Sequence, residues 1–253
     1  LTRIKKINTR RKNLVIIGKF LFYSYLLFQI QWGINYHRMD LYKKLSLTKS
    51  YSLVSLKEKT KKIIYRTNYL HEKLSSSDTI GADLNYNRKL IENETIKSMK
   101  KIEFLNDDNI PKNIKNSIFS TINSYMGFSG YINPFTLEAQ INKNTPILYL
   151  PTTISHEIAH QLGYAAENEA NFVGILSCLE SQNDFIAYSG HVQALRYLLN
   201  ELFRQNREYH KDIVKELNIG VKKNIAEASK QISRYKNPFE PLFKKFYDSF
   251  LKN

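Results

Sequence analysis

The sequence predicts a mainly α-helical domain with a small β element (an α+β fold), preceded by one membrane-crossing helix. Three observations lead there. Most of the chain beyond residue 50 places apolar residues at helical spacing, with lysine-rich faces between them. Residues 117–150 break that pattern into short apolar and aromatic runs, punctuated by Gly127, Gly130 and Asn133-Pro134. Residues 14–36, LVIIGKFLFYSYLLFQIQWGINY, form a long apolar stretch near the start.

Composition narrows the class. The 253 residues suit one large domain or two small ones, and 42% hydrophobic with 13% aromatic residues is ample for a packed core. The net charge of +15, from 38 Lys+Arg against 23 Asp+Glu, fits either nucleic acid or an anionic membrane surface. No basic-aromatic repeat or nucleic-acid fold signature is present, and the lysines spread along helix faces. The expected partners are therefore a lipid bilayer and a peptide or protein substrate, with no nucleic acid. Cys178 is the only cysteine, so no intrachain disulfide forms, and it reads as a small buried apolar residue.

Residues 1–13 are basic, with Arg3, Lys5, Lys6, Arg10, Arg11 and Lys12. In the apolar stretch that follows, Phe20–Tyr36 carries no charge and would rise about 26 Å as a helix, slightly less than a bilayer core. Lys19 can snorkel, and Tyr23, Trp32 and Tyr36 are interfacial types. No small-residue cleavage site follows the run, which argues against a signal peptide; a buried helix of a soluble domain is the plain alternative. The dense basic cluster puts the N-terminal side in the cytoplasm and the domain outside, with Arg38, Lys43 and Lys44 opposing. The expected layout is a basic juxtamembrane segment at 1–13, a transmembrane helix at 14–36 and a domain at 37–253. The chain begins at Leu1 rather than Met, which suggests a fragment or a processed product.

Two amphipathic helices are predicted at about 53–74 and 86–105, the first with a packed stripe of Ile63, Ile64, Leu70 and Leu74. In the β region, the stretch Gly127–Asn133 is either an ordinary hairpin or an edge strand able to pair with an extended substrate. Ile147–Leu150 reads as a strand, with Pro151 as a stop and Thr152/Thr153 as the N-cap of the next helix. Residues 183–206 predict a long amphipathic helix on which Tyr188 and His191 share a face. One of the two, with Tyr188 preferred, is a candidate oxyanion donor; the plain reading is that both are satisfied core groups. Further basic helices follow, with breaks at Gly220 and Asn237-Pro238.

The chemistry concentrates in residues 152–178. His156-Glu157-Ile158-Ala159-His160 is an H-E-x-x-H sequence, and on a helix His156 and His160 offer two imidazole nitrogens to one metal ion. Glu157 can serve as general base to a water that the metal activates. Gly163 closes this helix, and Glu167-Asn168-Glu169-Ala170-Asn171 opens the next. Only one of the two glutamates can face the metal, because they lie about 200° apart round the helix. Glu167 is the choice for third ligand and Glu169 the alternative. The face of Glu167 continues as Ala170, Asn171, Gly174 and Cys178, small enough for close approach to the histidine helix. Asn171 is then placed to hydrogen-bond the far nitrogen of a ligating histidine.

The blocks IQWGINYHR (30–38), MGFSGYINPFTLEAQIN (126–142), SHEIAHQLGYAAENEANF (155–172), YSGH-QALRY (188–197) and the terminal YDSFLKN resemble an uncharacterised bacterial family, domain of unknown function 3810. The resemblance implies an inner-membrane protein with an extracytoplasmic zincin-like domain, further hydrophobic segments upstream and a longer C-terminus. The zinc block is also similar to gluzincin peptidases. That similarity implies Zn2+ held by His156, His160 and Glu167, with Glu157 as base and Asn171 behind the ligands; the spacer between His160 and Glu167 is short for that group. The expected activity is zinc-dependent peptide hydrolysis. A non-catalytic zinc-binding scaffold and a cell-wall peptide amidase are the alternatives.

Overall fold

The computed structural model describes residues 2–105, 107–133, 136–238 and 241, with the backbone alone for 2–10. The terminal YDSFLKN block lies outside the described residues. Helix α1 (Thr2–Gln31) runs through the basic segment and most of the apolar stretch as one element. Leu14, Ile16, Phe20 and Phe22 are all exposed along it. Its portion Arg11–Gln31 is long and apolar enough to cross a membrane, and none of that stretch is buried inside the protein. The helix stops at Gln31, before the predicted Tyr36, and Gly33–His37 forms a 3-10 turn instead. Trp32 and Leu41 then enter the folded body, the latter opening the short α2 (Leu41–Lys44).

Helix α3 (Leu53–Leu74) matches its predicted bounds. Ser52 caps it, accepting the Ser55 N–H at 3.1 Å, and Leu56, Thr60, Ile64, Thr67 and Leu70 bury one stripe at 3–4-residue spacing. Helix α4 (Arg88–Met99) is shorter than predicted. Asn87 caps its start, and beyond Met99 the chain leaves helical periodicity so that Ile102, Leu105 and Ile110 can turn inward to the core.

The β element is a three-stranded sheet of β1 (Lys115–Asn116), β2 (Gly130–Ile132) and β3 (Ala139–Ile141), in the order β1-β3-β2, with α5 (Ser120–Met126) between β1 and β2. β1 lies parallel to β3, and β2 antiparallel, pairing Gly130 with Ile141 and Ile132 with Ala139.

The predicted strand at Ile147–Leu150 is instead a 3-10 turn (Ile147–Tyr149) that runs directly into α6 (Leu150–Gln161). Pro151 does not stop anything: it occupies the first turn of α6, where its missing N–H removes no helical bond. Nor do the threonines cap the helix. Thr152 and Thr153 lie inside it and donate their hydroxyls to the Tyr149 carbonyl at 3.0 and 2.8 Å.

Helices α7 (Glu167–Leu179), α8 (Asp184–Gln205), α9 (Arg207–Ile213) and α10 (Ile219–Ser233) complete the body. Gly220 does not break a helix but lies in the first turn of α10, where a Cβ would fall 2.3 Å from His71 Nε2. α6 is central, packed on α7, α4 and the sheet, while α8 lies between α7 and α3. Ile154 and Ile158 are fully buried on α6, each worth about 1.5–3 kcal/mol of transfer free energy. Cys178 is sealed where α6, α7 and α8 meet, 3.8 Å from Ser155 Oγ and directly under Gly190.

Candidate metal centre

The site is assembled by two helices and the tight turn between them. α6 presents His156, Glu157 and His160 within just over one turn. Gly163, at φ +87°, takes the left-handed position that ends it, with its N–H donating to the His160 carbonyl at 2.8 Å. α7 then begins at Glu167 without a side-chain cap, so its free N–H groups favour a carboxylate in the first turn. Small residues let α7 come close: a Cβ on Gly174 would lie 3.1 Å from both the His156 nitrogen and the Thr152 oxygen.

This close crossing brings the three expected residues together. Glu167 Oε2 lies 3.4 Å from His156 Nε2, and Oε1 lies 3.5 Å from His160 Nε2. One ligand atom from each of the three falls within 4.8 Å of the others. His160 Nδ1 faces the Tyr164 carbonyl at 2.8 Å, which places a proton on Nδ1 and aims Nε2 at Glu167. That backbone carbonyl does the work expected of Asn171, which lines the cavity without a hydrogen bond to either imidazole. His156 Nδ1 is buried and has no partner among the described residues.

Glu169 is not part of the cluster. It points away and accepts the Leu41 N–H at 2.5 Å, tying α2 to α7. Of the two glutamates, the structure therefore groups Glu167 with the histidines.

Electrostatics follow from this geometry. Burial works against a charge on Glu167, but hydrogen bonds to His156 and His160 and their charges outweigh it and hold the carboxyl far below its ordinary range. Burial likewise opposes charge on His160, yet Glu167 and Glu157 raise its pKa overall. Glu157 is raised by burial, with the two histidines opposing. Its carboxylate is closely covered by β2: a Cβ on Gly130 would lie 2.6 Å from both Cγ and Oε1 of Glu157.

His156, Glu157, His160 and Glu167 line a cavity of about 700 Å³. Its other walls come from three directions. β2 contributes Gly130, Tyr131 and Ile132; the end of α1 and the following turn contribute Phe28, Trp32 and Tyr36; and α8 contributes Gln193 and Arg196. β2 is an edge strand, paired with β3 on one side and with no strand on the other among the described residues. Within the Gly127–Asn133 stretch, Gly130–Ile132 is an arm of a hairpin with β3, and its residues line the cavity.

Tyr188 does not join the site. It is fully buried against α3 and α10, with its hydroxyl donating to Asn224 Oδ1 at 3.0 Å and its ring 6.1 Å from that of His71. Burial raises its pKa and keeps it a neutral donor to that one partner. His191 is equally committed, its Nδ1 meeting the Ala187 carbonyl at 2.8 Å. Neither lines the cavity. Sequence reasoning missed Tyr149 and Arg196, which do. The Tyr149 hydroxyl makes no hydrogen bond and Arg196 no ion pair among the described residues, and the two are close enough for the Arg196 charge to oppose the rise that burial imposes on the Tyr149 pKa. The available signal was position: Tyr149 stands two turns before His156, and Arg196 shares a face with Gln193 rather than with Tyr188.

Fold and site together define a class: a mostly helical protein with one exposed apolar N-terminal helix, a small sheet, and a two-histidine, one-carboxylate cluster on a cavity wall. Over residues 1–253 the chain matches the family model described as protein of unknown function (DUF3810), and it belongs to that family. No curated protein and no solved structure matches it.

Proposed function

We propose that this chain is a membrane-anchored, zinc-dependent peptidase of gluzincin type. The supporting observation is the convergence of His156, His160 and Glu167 beside a buried glutamate, Glu157, on the wall of one cavity. The donor set suits zinc. Two imidazole nitrogens and one carboxylate are a usual zinc donor set, and one such atom from each residue lies within 4.8 Å of the others. When bound, zinc supplies a Lewis acid for the scissile carbonyl and brings the pKa of a water to about 7.

The remaining work falls to side chains of this protein. Glu157, buried and raised in pKa, takes the proton of the attacking water and returns it to the leaving amine. The free edge of β2 holds an extended backbone along α6 by strand addition. Tyr149 and Arg196 provide hydrogen-bond donors for the carbonyl oxygen as charge develops on it, the role that Tyr188 is too deeply buried to fill. The apolar part of α1 anchors the domain to a bacterial inner membrane. Its denser basic side lies in the cytoplasm, which puts the catalytic domain outside.

The test combines metal analysis with one substitution. Purified protein should hold about one zinc per chain, and Glu157→Gln should keep the zinc while losing hydrolysis of a fluorogenic peptide library. Equal turnover by zinc-loaded Glu157→Gln would refute the mechanism. Zinc binding without any Glu157-dependent turnover would favour a metal-dependent scaffold, and turnover confined to cell-wall peptides would favour an amidase.

A further inference from the structure

The membrane anchor is part of the cavity as well as a tether. Phe28, in the last turn of α1, and Trp32 and Tyr36 just beyond it form one wall. Trp32 is 7% exposed, and its ring stands edge-on to that of His160 at 6.0 Å. The same junction is fastened to the turn that joins the two ligand helices. Arg38 donates to the Leu162 carbonyl at 2.9 Å and lies 4.3 Å over the Tyr164 ring, and the Leu41 N–H is taken by Glu169. Asn35 packs under Gly163, where a Cβ would fall 2.9 Å from its Oδ1.

The axial position of these residues follows from helix geometry. From Leu14, where the apolar stretch begins, Phe28 lies about 21 Å and Trp32 about 27 Å along the axis. A hydrocarbon core is about 30 Å thick, so the end of α1 and with it the cavity wall fall at the far interface, where Trp and Tyr side chains are favoured. An aromatic wall at that depth is a poor fit to a freely soluble peptide and a good one to a chain leaving the bilayer.

Resting on the peptidase reading, we infer that the cavity takes polypeptides anchored in the same membrane and acts on the extended segment immediately outside the bilayer. The anchor of the substrate lies in the leaflet beside α1, and its extended segment adds to the free edge of β2. Either a transmembrane helix or a covalently attached acyl chain meets this requirement.

The test is a molecular ruler read without turnover. Zinc-loaded Glu157→Gln protein is reconstituted in phosphatidylcholine vesicles, and occupancy is followed through the emission of Trp32, the only tryptophan of the chain. Probes are tryptophan-free peptides of one extended sequence, tied either to a myristoyl chain or to a transmembrane helix through spacers of about 3 to 15 residues, each reaching at most about 3.3–3.6 Å per residue. A cavity at the interface predicts occupancy with spacers of about 3–5 residues, at bulk concentrations at least tenfold below those needed for the unanchored peptide. It also predicts quenching of Trp32 by lipids brominated near the headgroup. A response to one anchor type alone identifies that source. Occupancy only through spacers of about 10 residues or more, or Trp32 unquenched by any brominated lipid, would overturn the inference while leaving zinc content and Glu157-dependent cleavage intact. Loss of those two with headgroup quenching and short-spacer occupancy retained would instead remove the peptidase reading.

Discussion

Gly130→Ala tests the most specific steric claim about the site. The backbone at Gly130 is not in the left-handed region, so alanine is conformationally acceptable there. Its added Cβ nevertheless meets Glu157 at 2.6 Å from Cγ and Oε1 and 2.8 Å from Cδ. Ordinary carbon contacts lie at about 3.5–4.0 Å, so something must move by about 1 Å. α6 is locked by Ile154 and Ile158 in the core and β2 by its pairing with β3, which leaves the Glu157 carboxylate as the group that shifts. Overpacking of this kind costs about 1–3 kcal/mol, or roughly 2–10 °C in Tm for a chain of this size. For the base role proposed for Glu157, a displacement of about 1 Å costs on the order of 100-fold in rate. The assay is a double-mutant cycle by thermal melting with Gly130→Ala, Glu157→Ala and both together, alongside zinc content. Zinc should be retained throughout, and the destabilisation by Gly130→Ala should shrink in the Glu157→Ala background, where the colliding atoms are gone. Additive losses, or undiminished turnover by Gly130→Ala protein, would refute the reasoning.

Other substitutions separate the remaining roles. Glu167→Ala should lose zinc by elemental analysis, whereas Glu169→Ala should keep it and show only the modest Tm loss of an uncapped Leu41 N–H. Tyr188→Phe should leave turnover and metal content unchanged while costing about 0.5–1.5 kcal/mol in denaturant melts, because one buried hydrogen bond is lost while Asn224 Oδ1 keeps the Ala82 N–H. His71 and His191 are both held below the ordinary histidine value by burial. The unfolded chain therefore binds more protons than the folded one as pH falls below about 6.5, and stability that is fully present above that value is lost on acidification. His160, raised by its carboxylate neighbours, acts in the opposite direction, so the readout is a comparison. In melts of metal-free protein between pH 7.5 and 5, His71→Gln should be destabilised less by acidification than the unsubstituted protein, and an unchanged slope would exclude His71 as a contributor.

How much was legible in the sequence varies with how local the signal is. Helix α3 and the bounds of α8 follow from an apolar stripe and an asparagine or serine cap, both local features. The grouping of His156, His160 and Glu167 was also readable, since 3.6-residue periodicity and the run of small residues on α7 determine which faces meet. The strand expected at Ile147–Leu150 was not, because a short apolar run fits a strand and the start of a buried helix equally well. Tyr188 misled for a related reason. α8 is buried on two sides, against α7 and α3, so a shared face does not say which side it meets. The tie from Glu169 to Leu41 and the aromatic wall from α1 join residues more than 100 positions apart, and no spacing rule within one helix reports such contacts.

The sealed thiol of Cys178 turns the protein into its own clock. Burial pushes its pKa up to about 12, and Ser155 and Gly190 close over it from the helices on either side. A thiol reagent can therefore react only when α6, α7 and α8 part, and labelling kinetics would measure how often that happens. Those are the helices that carry both histidines, Glu167 and the α8 wall. With a single cysteine in the chain, one mass shift per molecule would time the parting of the helices that carry the His156, His160 and Glu167 cluster, with no competing site to subtract.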